Sequence, residues 1–216
     1  MNILVLSGYD DAMSPIGDRC TITHKAYAER HGYAHEVVRE YRTDTHPSHQ
    51  KIRLLKERID QYDAILWLDA DTVVMNKWFA VEGFFGHRHV MNISVDWCAP
   101  IEDDDRPTTY VSCGNFILWN TPVTMEFIDY WHRHSERYAV RNICCWEQDG
   151  LRAAMKDSLW FNDLVRRHPR RALNAVHETC VNRNFPDCAP KPYKPGDFLL
   201  HLTNVDRAAI LDTLGL

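Results

Sequence analysis

The sequence predicts an α/β fold, with an open, largely parallel sheet flanked by helices in a single domain. Short apolar runs alternate with longer segments of helical periodicity, and this alternation is typical of parallel sheets. The first run, residues 2–6, is apolar without interruption, as expected for a strand covered on both faces. With 45% hydrophobic residues among 216, the chain is long enough to bury the core of one large domain.

Two strand-helix units precede the third apolar run. After the first strand we expect a helix that starts at the Ser-Pro pair of residues 14–15 and ends at Gly32. Residues 34–40 (AHEVVRE) are predicted to form a second strand. A second helix is expected within residues 46–62, where apolar side chains recur at helical spacing. The third strand is then AILWL, residues 64–68.

The second part of the chain is predicted to continue with mixed elements. In order, we expect strands at 89–97 and 110–120, helices at 121–138 and 147–158, a mostly looped stretch from 166 to 195 with a brief strand at 171–176, a strand at 197–204 and a terminal helix at 205–216. In the helix at 121–138 we expect Thr121 as cap, Pro122 at the first position and an apolar face of Met125, Ile128 and Trp131.

Composition excludes several classes of function. The formal charge of -5 leaves no basic stripe, so binding of nucleic acid through its phosphates has no support. No apolar run reaches the roughly 18 residues of a membrane helix, and the N-terminus lacks the pattern of a signal peptide. We therefore expect a soluble, cytoplasmic protein with no membrane span.

The seven cysteines show no C-x-x-C spacing, which argues against a zinc site and favours reduced thiols.

Two aspartates follow the third strand directly, at Asp69 and Asp71. Carboxylates two residues apart on an extended segment project to the same side, so both can face one hard divalent cation. The alternative is an Asp-rich turn whose side chains cap backbone amides. The carboxyl edge of an α/β sheet is where ligands bind, and this position favours a site for a metal and a diphosphate.

The segment around these aspartates resembles a known family. HPSHQKIRLLKERIDQYDAILWLDADTVVMN is similar to the donor-site segment of the retaining glycosyltransferases that include the yeast α-galactosyl- and α-mannosyltransferases of mannan synthesis and the plant xyloglucan xylosyltransferases. Lys51, Tyr62-Asp63 and Trp67-Leu68-Asp69-Ala70-Asp71 match in order. SCGNFILWNT and WEQDGL resemble further stretches of that family, and the matches span residues 24–204.

The resemblance implies a GT-A (Rossmann-like) fold and a metal-dependent glycosyltransferase. Residues 1–76 would form a nucleotide-binding half, and residues 77–216 an acceptor half that carries the last metal ligand. Asp69 and Asp71 would hold Mn²⁺, with His201 as the third ligand. Oxygen ligands with one imidazole favour Mn²⁺ over the alternative, Mg²⁺. Without the resemblance, a buried histidine bonded to backbone would explain His201 equally well.

The family also implies a donor, an acceptor and site residues. The donor would be a nucleotide sugar, with a UDP-sugar favoured over GDP-mannose, and the acceptor a saccharide hydroxyl, with retention at the anomeric carbon. Gln148 would lie near the reacting carbon, flanked by Glu147 and Asp149; alternatively, this acidic stretch is simply a favourable helix start. Trp97, Trp119 and Trp146 are candidates for stacking on an acceptor sugar. The donor-binding positions implied are Ser7, Gly8, Lys51, Asp69, Asp96 and Gly114.

Two departures and two other functions stay open. Asn204 stands where the family usually has Gly, and Trp119 where it usually has Arg. Arg207 or a lysine of KPYK is a candidate for the phosphate-binding cation. LDADT also fits the Asp-x-Asp-x-Thr motif of haloacid-dehalogenase-like phosphatases, in which Asp69 would be the nucleophile and Mg²⁺ the cofactor. A carbohydrate-binding protein without enzymatic activity is the remaining alternative.

Overall fold

The computed structural model describes residues 1–40, 46–86, 88–96, 109–139, 146–181 and 192–216. The strands are β1 (Ile3–Gly8), β2 (Ala34–Val38), β3 (Ala64–Leu68), β4 (Thr72–Val74), β5 (Met91–Val95), β6 (Val111–Trp119), β7 (Val165–His168), β8 (Ala175–Val176) and β9 (Leu199–His201). The helices are α1 (Ser14–His31), α2 (Pro47–Lys56), α3 (Thr124–Ala139), α4 (Trp146–Asp157), α5 (Leu159–Asp163), α6 (Arg170–Asn174) and α7 (Arg207–Leu214).

Six strands form the central sheet in the order β2-β1-β3-β6-β5-β7. Strand β1 is parallel to β2 and β3, and β5 is parallel to β7, whereas β6 is antiparallel to both its neighbours. The predicted α/β fold with an open, largely parallel sheet is confirmed. A second, three-stranded sheet in the order β4-β9-β8 lies beside it, so the last strand does not extend the central sheet.

Strand β3 is covered on both faces, which explains its uninterrupted apolar sequence. Ile65 and Trp67 pack with apolar residues of α2, α3 and α4, whereas Leu66 and Leu68 pack with Tyr27 of α1 and with apolar residues around β9. All five residues of β3 are buried. The carboxylates that follow Leu68 therefore project from a rigid, fully packed strand end.

The N-terminal helices form close to where the sequence predicts them. Helix α1 has a proline in its first turn and ends at Gly32, whose φ of 69° is the left-handed conformation that favours glycine. Helix α2 ends at Lys56, earlier than predicted, and the short 3-10 helix Ile59–Gln61 completes the connection to β3. No helix among the described ranges is both long and apolar enough to span a bilayer.

Helix α3 begins at Thr124, so the predicted cap at Thr121 is wrong. The hydroxyl of Thr124 donates to the carbonyl oxygen of Trp119 at 2.7 Å and accepts from the amide of Thr121 at 2.8 Å, which closes a turn before the helix. Met125 was expected on the apolar face but is 42% exposed, and Phe127 is fully buried instead.

Of the stretch 166–195, residues 182–191 lie outside the described residues, and residues 166–181 are more regular than predicted. Residues 170–174 form α6 where the pattern RALNAV predicted a strand, and only Ala175–Val176 are extended. Tertiary contacts hold this short helix, because the amide of Leu173 donates to the hydroxyl of Ser94 on β5 at 2.9 Å. Helices of five residues depend on such anchors, since they are too short to be stable alone.

Candidate metal and nucleotide site

Strand pairing brings Asp71 and His201 together. Strands β4 and β9 are antiparallel with Thr72 opposite His201, and the amide of Leu202 donates to the carbonyl oxygen of Asp71 at 2.8 Å. The Nε2 atom of His201 lies 3.2 Å from Oδ1 of Asp71. One ligand atom each of Asp69, Asp71 and His201 lies within 4.8 Å of the others. The three predicted metal ligands therefore converge at one place.

Asp69 is fixed by neighbours on three elements. Its amide donates to the carbonyl oxygen of Gly114 on β6 at 2.9 Å. Its Oδ1 atom accepts from Nε1 of Trp67 at 2.7 Å and lies 3.0 Å from Nζ of Lys51. Its Oδ2 atom has no hydrogen-bond partner among the residues that the structure describes. One oxygen thus orients the carboxylate, and the other is left for a ligand.

Gly114 leaves room for the imidazole of His201. A Cβ atom at this position would lie 2.6 Å from Cε1 of His201 and 3.3 Å from Oδ2 of Asp69. Contacts below 3.0 Å are not tolerated without movement of one partner. A glycine is therefore required here by the close approach of two metal-ligand candidates.

Lys51 lies behind the carboxylates in a buried ion-pair network. Its Nζ atom is 2.9 Å from Oε1 of Glu147 and donates to the carbonyl oxygen of Cys113 at 2.6 Å, in addition to its contact with Asp69. Burial alone would lower the pKa of Lys51, but the charges of Asp69 and Glu147 raise it above its ordinary value. Lys51 is therefore a charged residue that joins α2, β3 and α4.

Asp71 is surrounded by positive charge. The guanidinium of Arg207 contributes Nε at 2.9 Å and Nη2 at 2.8 Å from Oδ2, while His201 faces Oδ1. Burial would raise the pKa of Asp71, but His201 and Arg207 hold it well below its ordinary value. In the reverse direction, burial would lower the pKa of His201, whereas the carboxylates of Asp71 and Asp69 raise it. His201 and Arg207 thus supply the positive charge that balances the carboxylate of Asp71.

The other ring nitrogen of His201 has its own partner. Its Nδ1 atom lies 2.7 Å from Oδ1 of Asn174, the last residue of α6. Because an amide oxygen only accepts, Nδ1 carries the proton of this hydrogen bond. The Nε2 atom is thereby directed at Asp71.

Gln148 and Asp96 form a second polar cluster at the start of α4. The Oε1 atom of Gln148 accepts from the amide of Cys113 at 2.8 Å, and its Nε2 atom donates to Oδ2 of Asp96 at 3.3 Å. Arg152 pairs with the same oxygen of Asp96 and, at 3.4 Å, with Asp149. Burial raises the pKa of Asp149 against the opposing charge of Arg152. Oδ1 of Asp96 is buried without a partner within the described ranges.

A cleft of about 330 Å³ opens beside the carboxylates. Its walls come from the loop after β1, the start of α2 and the end of β3, and they include Gly8, Lys51 and Asp69. Ser7 does not line it. The side chain of Ser7 is fully buried and its hydroxyl lies 2.9 Å from Nδ1 of His24, so no surface of this side chain is left for a nucleotide.

The three predicted stacking tryptophans have different positions. Trp119 is 1% exposed within β6, which makes the prediction that it stacks on an acceptor sugar wrong. Trp97 and most of the acidic loop that follows it lie outside the described residues. Trp146 is half-buried at the start of α4 and stacks on His46, with ring centroids 3.6 Å apart.

Three further polar residues of this region were not predicted from the sequence. Arg152 lies four residues after Gln148, a spacing that puts both on one face of α4, where both bond Oδ2 of Asp96. His46 precedes the proline that starts α2, and its Nδ1 atom accepts from the amide of Ser48. Asn174 has no sequence signal, because its contact with His201 depends on the pairing of β8 with β9.

Comparisons with known proteins agree with this geometry. Residues 2–106 match the sequence model of the galactosyl transferase GMA12/MNN10 family. A glycosyltransferase involved in glycosylation of the major capsid of PBCV-1 superimposes with a TM-score of 0.72 at 15% identity, covering 100% of this chain and 99% of that one. The fold is that of the GT-A glycosyltransferases.

Other structures with the GT-A fold give similar results. Galactosyltransferase LgtC, in complex with donor and acceptor sugar analogs, has a TM-score of 0.60 at 12% identity and covers 94% of this chain and 87% of its own. GlyE of Streptococcus pneumoniae has a TM-score of 0.55 at 12% identity, covering 96% and 56%. No curated protein sequence matches the chain. The chain is thus similar in sequence to this family over residues 2–106, and its fold is that of the GT-A glycosyltransferases.

Proposed function

We propose that this protein is a metal-dependent glycosyltransferase that moves a sugar from a nucleotide-diphosphate sugar to a saccharide hydroxyl. The observation that carries the proposal is the convergence of Asp69, Asp71 and His201 within 4.8 Å. This cluster lies at the carboxyl edge of β3, where α/β sheets of this kind bind ligands. A glycosyltransferase fold with a cation site at this edge supports a donor that carries a diphosphate.

The residues present fit a divalent metal ion. Two carboxylates and one imidazole with a directed Nε2 atom are a suitable ligand set for Mn²⁺, which accepts nitrogen more readily than Mg²⁺. Within the described ranges Oδ2 of Asp69 has no hydrogen-bond partner, and the lack of a side chain at Gly114 keeps the space beside Asp69 and His201 open. When bound, such a metal stabilises the negative charge that develops on a departing diphosphate. Asp69, Asp71 and His201 would hold it.

The cleft beside the carboxylates is the proposed donor site. Its lining is mostly apolar, which suits a nucleobase and ribose, and it ends at Lys51, Asp69 and Asp71. Lys51 is assigned to this site as the residue that orients Asp69, rather than as a direct phosphate ligand, because its Nζ atom already has three partners. This arrangement supports residues 1–76 as the nucleotide-binding half. A UDP-sugar is the first choice of donor, and GDP-mannose the second.

The polar cluster at the start of α4 is the proposed sugar site. Oδ1 of Asp96, which has no partner among the described residues, is assigned to accept from a donor-sugar hydroxyl. Gln148 is held at both ends of its amide, so it is oriented to stabilise positive charge at the anomeric carbon. Glu147 is neutralised by Lys51, which disfavours it as a nucleophile. We therefore favour retention by front-face displacement, with the leaving phosphate accepting the proton of the acceptor hydroxyl.

The phosphatase alternative has less support. The motif follows the third strand of the sheet, whereas in that fold it ordinarily follows the first. Release of phosphate from an aryl phosphate with Mg²⁺ would be the positive sign of a phosphatase. If the protein only bound carbohydrate, we would expect no metal-dependent binding of a nucleotide.

A thermal-shift experiment with metal and nucleotide tests the proposal. Saturating UDP with Mn²⁺ should raise the melting temperature by several degrees, because ligand at 100 times its Kd stabilises the native state by about 2.7 kcal/mol. UDP with EDTA should give no shift. The variant Asp71→Asn should lose the effect, and Asp60→Asn, which changes an exposed acid, should keep it. Absence of any shift with UDP or GDP in the wild type would refute the proposal.

A panel of nucleotide sugars with Mn²⁺ then identifies the donor. We expect one UDP-sugar to be hydrolysed slowly in the absence of acceptor, with release of UDP. Asp71→Asn should abolish this turnover while its circular dichroism spectrum stays that of the wild type.

A further inference from the structure

We propose that Asn174 is the positioning residue of the metal site: it holds the imidazole of His201 so that the Nε2 atom faces Asp71. The proposal rests on the proposed function, because it assigns a partner to the metal ligand His201. The carrying observation is the hydrogen bond of 2.7 Å between Nδ1 of His201 and Oδ1 of Asn174. Both residues are buried, at 8% and 3% exposure.

The backbone fixes where Asn174 lies. It ends α6 directly before β8, which pairs in parallel with β9 so that Val176 is opposite His201. Helix α6 is in turn anchored to β5, where Ser94 accepts from the amide of Leu173 and donates to the carbonyl oxygen of Pro169. The side-chain amide of Asn174 is therefore presented from a supported position rather than from a free loop.

This contact favours one tautomer of His201, against the attraction of Asp71 for a proton on Nε2. The amide oxygen of Asn174 cannot donate, so it selects the ring form that carries a proton on Nδ1. In neutral imidazole the lone pair then lies on Nε2, the nitrogen 3.2 Å from Oδ1 of Asp71. A histidine that binds a metal through one nitrogen commonly donates from the other to an oxygen in this way.

Sterics and hydrogen bonding act together on the ring. Gly114 allows the imidazole to approach β6, with the ring carbon Cε1 2.6 Å from where a Cβ atom would be. Asn174 accepts from Nδ1, the neighbouring ring atom, which lies 3.1 Å from the same Cβ position. The edge of the ring that faces Gly114 is therefore held by a hydrogen bond where no side chain excludes it, an arrangement that orients a ligand before the metal arrives.

Measurements of Mn²⁺ affinity distinguish a role of Asn174 in positioning His201 from a role in stabilising the fold. We expect Asn174→Leu, which keeps similar bulk without an acceptor, to weaken Mn²⁺ binding by about 10–100-fold in calorimetric titration. Asn174→Asp, which keeps the acceptor oxygen, should bind Mn²⁺ within a few-fold of the wild type or more tightly. The matched control is Asn92→Leu, because fully buried Asn92 shares a 2.8 Å hydrogen bond with His168 away from the metal site. Its melting temperature should fall while its Mn²⁺ affinity stays unchanged.

The tautomer can also be observed without metal. Asp71 attracts a proton to Nε2 and Asn174 attracts one to Nδ1, so in metal-free protein at a pH where the ring carries one proton, ¹⁵N spectra of the wild type should show a larger Nδ1-protonated fraction than those of Asn174→Leu. Asn174→Asp should keep the larger fraction. An unchanged tautomer together with unchanged Mn²⁺ affinity in Asn174→Leu would overturn the assignment. A wild type that binds no Mn²⁺ but shows the selected tautomer would refute the proposed function, and with it the positioning role toward a metal.

Discussion

Lys51 and Glu147 form a buried ion pair that joins α2 to the start of α4 directly behind Asp69. Their charged atoms are 2.9 Å apart, and their side chains are 4% and 8% exposed. Removal of one member of such a pair leaves an uncompensated buried charge, which is costly. The pair therefore supports the metal-site carboxylate as well as the packing of the two helices.

The first prediction concerns this pair. Lys51→Met should lower the free energy of unfolding by about 3–5 kcal/mol, because both Glu147 and Asp69 lose their cation. Urea unfolding in EDTA measures the change without interference from metal. Lys56→Met, which removes an exposed pair with Asp129, should cost less than about 1 kcal/mol. Equal small losses in both variants would contradict the assigned role of Lys51.

The second prediction concerns Gly114. In Gly114→Ala, the added methyl group would meet the ring of His201 at 2.6 Å, so the imidazole must move away from the carboxylates. We expect Mn²⁺ affinity to fall by at least about tenfold, comparable to loss of a ligand-orienting contact. Gly83→Ala is the control, because nothing lies within 4 Å of its Cβ position. Calorimetry that finds wild-type affinity in Gly114→Ala would show that His201 is not held in this position.

The third prediction separates two roles of Arg207. The guanidinium occupies Oδ2 of Asp71, so Arg207→Ala should tighten the binding of Mn²⁺ alone, by up to about fivefold for a pair with one half-exposed partner. If Arg207 also supplies the phosphate cation, the same variant should weaken the binding of UDP in saturating Mn²⁺. Titrations with and without UDP should therefore change in opposite directions. Weaker binding of Mn²⁺ alone would contradict the competition between metal and guanidinium.

The fourth prediction concerns pH. Burial lowers the pKa of His24 from 6.5 to about 4, while its ring bonds Ser7 and the carbonyl oxygen of Thr72. Between these values the unfolded chain binds a proton that the folded protein does not, so stability falls as the pH drops from 6.5 to 4. His24 contributes on the order of 3 kcal/mol to this loss.

Urea unfolding at pH 7 and at pH 4.5 measures the contribution of His24. The difference between the two pH values should be about 2–3 kcal/mol smaller in His24→Gln than in the wild type. His132→Gln, a change on the exposed side of α3, should leave the difference as it is. An identical pH dependence in all three proteins would be incompatible with a neutral, buried His24.

The fifth prediction concerns Gln148. Its amide is oriented by Cys113 and Asp96, so Gln148→Ala should reduce turnover of the nucleotide sugar by about 10²-fold. Binding of Mn²⁺ and UDP should stay within about twofold of wild type, because the amide is assigned to the reacting sugar only. Gln61→Ala, at an exposed position, serves as control. If Gln148→Ala lost UDP affinity and kept its turnover, Gln148 would instead be a nucleotide-binding residue.

Much of the fold was predictable because its signals are local. The uninterrupted apolar run at residues 64–68 predicted a strand covered on both faces, and Gly32 predicted the end of α1. Helix α6 was not predictable in this way, because residues 170–174 are helical through their anchor on Ser94. Helix α3 starts late for a similar reason, since the hydroxyl of Thr124 bonds the end of β6.

The candidate site was predictable only in part. The spacing of Asp69 and Asp71 is a local signal, and the structure adds the strand pairing that brings His201 to them. Ser7 and Gly8 both lie at the end of β1. Because side chains alternate along a strand, that of Ser7 points into the interior toward His24. The role of Asn174 could not be predicted from the sequence, because its contact with His201 depends on the pairing of strands in the second sheet.

Diffraction from crystals grown with MnCl₂ and UDP, recorded near the manganese absorption edge, tests the central claim most directly. The account predicts one anomalous peak at bonding distance from carboxylate oxygens of Asp69 and Asp71 and from Nε2 of His201, with the UDP phosphates beside it. A peak bound elsewhere, or phosphates bound while these three side chains contact no metal, would contradict it.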